Sequence, residues 1–242
     1  MKRIILVRHG ETYQNRDHVV QGQDPTRGKL TEEGIMQAML LGKALGGESF
    51  DVAYTSTLER AVLTLSLVLI EQQGPKTVPI RFADELREIN QGVLNGRTHE
   101  DWKGAITGDP MAWRPEGGES WLDVQERVTR YLHDVILADE HRSILIVAHG
   151  GVNRGLLSSL LGFPMSLSWQ GPGVGTPQSN TCCNRLHVKD NGTVAFAEIN
   201  DTSHLEGHED FAGRGQRWNV KERKWELLGP PAETYEASFL AS

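Results

Sequence analysis

Cysteine is nearly missing from this chain. There are two in 242 residues, Cys182 and Cys183, and they are adjacent. Adjacent cysteines build no disulfide framework, and no Cys-x-x-Cys spacing is present for a zinc or redox site. A reducing, cytoplasmic setting is therefore expected. Long apolar runs are missing too. The longest apolar window, Ala61–Ile70, is broken by Thr64 and Ser66, whereas a membrane span needs about 20 apolar residues. The N-terminal run Ile4–Val7 stops at Arg8-His9, which reads as a strand rather than a signal peptide. Positive charge is not in excess. The net charge is −7, which argues against a nucleic-acid binder but allows a local basic pocket for a small anion. No internal repeat or low-complexity tract is present. The nine histidines contain no His-Glu-x-x-His pair of the zinc-binding kind.

What is present is an alternation of strand and helix signals. Residues 2–7 read as a short buried strand. Thr31 can cap a helix over Glu32–Leu45, with acids in its first turn and Gly46-Gly47 as a stop. A strand over Phe50–Thr55, a helix over Leu58–Glu71 closed by Gly74-Pro75 and a short strand over Val78–Phe82 follow. Residues 84–120 are punctuated by glycine, proline, Trp102 and Trp113, and read as an irregular, lid-like insertion over a site. A long amphipathic helix is expected over Trp121–Ala138, then a buried strand ending at His149 and a helix over Val152–Leu161. Gly171–Gly175 reads as a loop. Arg185–Val188 and Val194–Ile199 read as an edge hairpin turning at Asp190-Asn191-Gly192. The expected fold is α/β, with a mostly parallel central sheet and helices on both faces. Residues 1–205 would form one domain, and 206–242 a C-terminal appendage with no assigned role.

Two apolar strands each run into His-Gly: Ile4–Val7 into Arg8-His9-Gly10-Glu11-Thr12, and Ile144–Ala148 into His149-Gly150-Gly151. Sites in parallel sheets lie beyond the carboxyl ends of strands, so His9 and His149 should meet at one sheet edge. A neutral imidazole beside cations can attack phosphorus. A lone histidine would more often be packing or capping. Here Arg8 shifts that balance, because a buried guanidinium is costly without an anion. Arg60 falls on the first turn of its helix, where a cation opposes the helix dipole. It is either an anion ligand or an idle surface charge. Glu85 and Glu88 are both candidates for an acid/base carboxyl, and spacing does not choose between them. Ser120 reads as a helix N-cap, and the two cysteines as inert core thiols.

Arg8-His9-Gly10-Glu11-Thr12 with Asn15, Ser56 to Arg60-Ala61, Leu86-Arg87-Glu88 with Gly92 and Gly96, Gly117-Gly118-Glu119-Ser120 and His149-Gly150 stand in one order. Together they resemble the histidine phosphatase superfamily, in its phosphoglycerate mutase-like branch, over about residues 1–205. The resemblance implies His9 as the nucleophile that becomes phosphohistidine. It also implies a phosphoryl pocket of Arg8, Arg60 and His149, with Asn15 as a further pocket residue. It selects Glu88, four residues before Gly92, as the acid/base group. No cofactor and no metal are implied. The implied partner is a small phosphorylated metabolite, not nucleic acid or membrane, and a homodimer is compatible. The chain departs from the family at Lys29-Leu30-Thr31, after the extra Pro25–Gly28 stretch, and at Leu63, where a glutamine is common. Mutases of this branch usually follow the acid/base Glu with Arg and carry a Lys after the second Gly; here Ile89 and His99 stand there. The implied activity is therefore a phosphomonoester hydrolase of histidine acid phosphatase type. The alternatives are a cofactor-dependent phosphoglycerate mutase and a catalytically silent phospho-ligand binding protein.

Overall fold

Lys2–Arg8 forms β1, and its central residues are buried because both faces of the strand are covered. Ile4 and Leu6 pack into one apolar core and Ile5 and Val7 into the other. That two-sided burial is why the run is apolar throughout rather than alternating. The computed structural model describes residues 1–71, 77–169 and 176–206, and two further strands at 216–219 and 224–227.

One mixed sheet organises the chain, with strand order β3-β2-β4-β1-β5-β6-β7-β8. β2 (Val52–Ser56), β3 (Ile80–Ala83) and β4 (Ser143–Ala148) join β1 in a parallel half. β5 (Cys183–Val188) pairs antiparallel with β1, and β6 (Val194–Asp201) with β5. The hairpin read from the sequence is thus present, but it is not an edge. Beyond it β7 (Gln216–Asn219) and β8 (Lys224–Leu227) extend the same sheet.

A short helix, α1 (Tyr13–Arg16), follows β1. α2 (Glu32–Ala44), capped by Thr31 as expected, and α3 (Glu59–Ile70) cover one face. α5 (Trp121–Tyr131) and α6 (Gly150–Leu161) cover the other. The helix expected to run to Ala138 is regular only to Tyr131. It continues as one π-helical turn over Leu132–Ile136 that keeps both named residues in the core. α6 begins at Gly150, two residues earlier than the glycine pair suggested. Between β3 and α5, residues 84–120 hold two 3₁₀ turns and α4 (His99–Ala105). Gly74-Pro75 and Gly171–Gly175 lie outside the described residues. Among the described residues no helix is long and apolar enough to cross a membrane.

Candidate active site

Sheet register places the reactive side chains. In the parallel β1/β4 pair Arg8 stands beside Ala148, so the next residues, His9 and His149, emerge side by side. Their ring centroids lie 5.2 Å apart. β2 ends one strand further on, and its last residue, Ser56, reaches Nε2 of His149 at 2.8 Å. A cavity of about 430 Å³ opens there, lined by Arg8, His9, Asn15, Arg60 and Glu88 among others. His149 itself lies behind that lining, bonded to Arg60.

The partners of each imidazole fix its tautomer. Nδ1 of His9 faces the Gly10 carbonyl at 2.7 Å. A carbonyl only accepts, so Nδ1 carries the proton and Nε2 keeps its lone pair. His149 is the reverse. Arg60 Nε donates to its Nδ1 at 3.2 Å, so its proton sits on Nε2 and is donated to Ser56. Burial, and then the charges of Arg60 and Arg8, hold His9 well below the usual imidazole range. Burial, Arg60, His9 and Arg8 do the same for His149. Both rings are neutral near pH 7.

Arg60 sits in the first turn of α3, whose start has no side-chain cap. Its Nη2 donates to Gly22 O at 2.9 Å, and burial pushes the guanidinium down to about 10. Arg8 Nη1 donates to Gln178 O at 2.5 Å. Arg8 Nε is buried and has no hydrogen-bond partner among the described residues. Desolvated guanidinium groups with unused donors suit an anion. The dipole-opposing position of Arg60 therefore serves this cavity rather than solvent.

Glu88 and Glu85 separate cleanly. Glu85 is exposed, whereas Glu88 lines the cavity. Glu88 Oε2 accepts the Gly151 N–H of the first turn of α6 at 3.1 Å, and Oε1 accepts the Ile89 N–H at 2.9 Å. Gly151 must lack a side chain. A Cβ there would stand 2.4 Å from Cζ3 of Trp121 and 2.5 Å from Oε1 of Glu88. Gly10 is equally constrained, since its Cβ would meet Gly34 O at 2.4 Å. Glu119 and Arg127 form a forked pair at 3.1 Å, and Glu119 also accepts the Asn90 N–H. This pair ties the segment carrying Glu88 to α5. Ser120 caps α5, as its position suggested.

Asn15 lines the cavity, but its Oδ1 is engaged by Thr12 and Asn180. Asn180 also donates to His9 O at 3.1 Å. Gln178 receives Asn153 and Asn184 as well as holding Arg8. Sequence reasoning missed this buried amide cluster. Its signal was the polar run Gln178–Thr181 directly before a strand that pairs with β1. It also missed Arg154, a cavity residue on α6.

A family model described as the histidine phosphatase superfamily (branch 1) matches residues 4–202. The chain is 35% identical over 174 residues to an adenosylcobalamin/alpha-ribazole phosphatase of Escherichia coli (strain K12), covering 69% of this chain and 83% of that protein. It is 35% identical over 212 residues to a 2,3-bisphosphoglycerate-dependent phosphoglycerate mutase of Brucella melitensis biotype 2, covering 81% and 97%. The fold is similar to the crystal structure of the alpha-ribazole phosphatase from Shigella flexneri. There the TM-score is 0.69, with 30% identity over 83% of this chain and 96% of that one.

Proposed function

The chain belongs to the histidine phosphatase superfamily, and on that premise we propose that it hydrolyses a small phosphomonoester through a phosphohistidine on His9. The observation that carries this reading is the His9 tautomer. The Gly10 carbonyl holds the proton on Nδ1, leaving Nε2 free to attack in an arginine-lined cavity.

In the first step the Nε2 lone pair attacks phosphorus and the ester P–O bond breaks. Glu88, as the carboxylic acid, gives its proton to the departing alkoxide. In the second step the Glu88 carboxylate takes a proton from water, whose oxygen attacks phosphorus. The P–N bond breaks, phosphate leaves, and both groups return to their starting states. Arg8 and Arg60 hold the equatorial oxygens, where charge develops. His149 fixes the direction of the Arg60 fork. Asn15 closes one wall.

On the same reading the chain is a phosphatase of histidine acid phosphatase type. Two free, buried cysteines fit the cytoplasmic placement. Mutase relatives make isomerisation the second reading to test. Ile89 is buried and apolar, and His99 is pushed below its usual range by burial, then by His18, Lys103 and Arg8. Neither position supplies the fixed positive charge that holding a bisphosphate would favour. Mass spectrometry under alkaline conditions should detect one phosphoryl group on the wild-type protein during turnover and none on His9→Ala. Full phosphatase activity in His9→Ala would sink the mechanism. Isomerisation of phosphoglycerate that depends on 2,3-bisphosphoglycerate and outpaces phosphate release would favour the mutase.

A further inference from the structure

Glu88 works from a stretch of chain that belongs to no helix and no strand. The 3₁₀ turn before it ends at Leu86, and the next begins at Gly92. Such a stretch has no ladder of its own to fix a side chain, and proton transfer tolerates little misplacement. The backbone on both sides of Glu88 is instead held by side chains from elsewhere. Arg127 Nη1, on α5, donates to Glu85 O at 2.7 Å and to Arg87 O at 2.9 Å. Gln23 Nε2 donates to the carbonyl of Glu88 itself at 2.7 Å. Glu119 Oε2 accepts the Asn90 N–H at 2.8 Å, and the Glu119 N–H donates to Asn90 O at 2.8 Å.

These three side chains form one unit. Arg127 Nε and Nη2 fork onto the Glu119 carboxylate, and Gln23 Nε2 also reaches Glu119 Oε2 at 3.4 Å. A bidentate, part-buried pair of this kind holds its geometry. Gln23 adds a second connection. Its neighbour Gly22 accepts Arg60 Nη2 at 2.9 Å and has a φ of 51°, in the left-handed region. A Cβ on Gly22 would stand 2.1 Å from Asn95 Oδ1. The dipeptide Gly22-Gln23 is thus seated between the arginine cradle and Glu88. Gln23 and Arg127 themselves stand outside the cavity lining.

We infer that Gln23 and Arg127 are positioning residues for proton transfer. Together they hold the Glu88 backbone so that its carboxyl, seated on the Gly151 and Ile89 N–H groups, meets the departing oxygen and then water at one place. This rests on the reading of Glu88 as the acid/base group. With the brace removed, His9 still attacks phosphorus and Arg8 and Arg60 still hold it. What fails is delivery of the proton. The loss should therefore grow with the basicity of the leaving oxygen, a dependence that general weakening of the fold does not produce.

The test compares kcat/KM, which ends at departure of the alcohol, for p-nitrophenyl phosphate and phenyl phosphate. The two esters share a ring and a phosphoryl group, but phenoxide is the far stronger base and needs the proton. Glu88→Gln should raise the ratio of p-nitrophenyl to phenyl ester by about 10²-fold or more. Gln23→Met and Arg127→Met should each raise it by about tenfold, as a displaced but intact carboxyl would. Arg127→Lys keeps a donor for the carbonyls and should raise it less than Arg127→Met. In the Glu88→Gln background Gln23→Met should raise it no further, because its effect passes through Glu88. Melting temperatures report whether each variant keeps its fold, and if Arg127→Met does not, Gln23→Met decides alone. Equal losses on both esters, or a ratio unchanged in either folded variant, overturn the inference, while a raised ratio in Glu88→Gln leaves the acid/base reading in place. A further rise on adding Gln23→Met to Glu88→Gln also overturns it. A ratio unmoved by Glu88→Gln itself overturns the acid/base reading, and the inference with it.

Discussion

Arg60 and His149 form one unit. The Arg60 Nε–H enters Nδ1 of His149 at 3.2 Å, while Ser56 takes the proton on the other ring nitrogen. The imidazole is thus clamped between two elements, β2 and α3, before any substrate arrives. His149→Ala should cost about 10²-fold in kcat/KM, because it removes the acceptor that aims the Arg60 fork, and a misplaced binding group can cost that much. Ser56→Ala should cost only about three- to tenfold, since it removes one neutral hydrogen bond from the clamp. Steady-state kinetics on p-nitrophenyl phosphate read both, and the reverse ranking would contradict the arrangement.

Both imidazoles titrate well below 6.5. The unprotonated His9 should therefore persist into acid, and kcat/KM should fall only well below pH 6.5 once the substrate's own titration is divided out. Stability should follow the same groups. His204, pushed down to about 4 by burial, behaves alike. For a group whose folded pKa is depressed, the stabilisation is present above the unfolded pKa and lost as the pH falls through the folded one. Urea midpoints should be flat above pH 6.5 and decline from there towards pH 4. His204→Gln should reduce that decline, and a midpoint that rises on acidification would be inconsistent with neutral buried rings.

Glu88→Gln should separate the two half-reactions. With p-nitrophenolate, which leaves without a proton, the attack by His9 continues, but no carboxylate activates water. Turnover should drop by about 10²–10⁴-fold, and phosphohistidine should accumulate, visible by ³¹P NMR at alkaline pH. Loss of turnover without accumulation would assign Glu88 to the first step alone.

Glycine substitutions at the site should act on different properties. In Gly10→Ala the new methyl meets a backbone oxygen of Gly34, which has little room to yield. A loss of about 1–3 kcal/mol in stability is expected. In Gly151→Ala the obstacles are side chains, Trp121 and the Glu88 carboxyl. There kcat should suffer more than the melting temperature, because Glu88 loses its seat on the α6 N–H.

Asp139 stands before β4, at the end of the sheet away from the cavity. Its carboxylate receives Tyr54, His141 and Arg81. Burial alone would raise it, but the His141 N–H, the Tyr54 and His141 side chains and Arg81 together hold it at about 2. Asp139→Ala should lower stability by about 1–3 kcal/mol, since it removes several hydrogen bonds but leaves the Arg81 and His141 side chains part-exposed rather than stranded, with KM unchanged. An altered KM would mean that the two ends of the sheet are coupled.

His9 and His149 were legible in the sequence because apolar β-branched runs mark buried strands, and both runs end at the histidine. Arg60 was half legible. Its place in a first turn was unusual, but its burial depends on Gly22, Gly28 and the neighbouring strand, which no local pattern contains. Glu88 was indistinguishable from Glu85 by spacing. The structure separates them through the Gly151 N–H, a contact spanning 63 residues of sequence. Arg154 and the amides of Gln178 and Asn180 carried no periodic signal at all. They act through tertiary contacts onto β1, and the run before β5 looked like an ordinary polar loop. The π-helical turn after Tyr131 was hidden for the opposite reason: its residues keep a helical hydrophobic pattern while the hydrogen bonding changes.

The chemistry and the choice of ester are built from separable pieces of chain. His9, His149 and Ser56 are set by strand pairing, whereas Ile89, Gln91, His99 and Trp102 reach the cavity from the irregular segment between β3 and α5. That segment can exchange residues without shifting a single strand register. Descendants of this chain, natural or made in the laboratory, can therefore acquire new substrates by rewriting residues 89–116 while inheriting the same phosphoryl transfer intact.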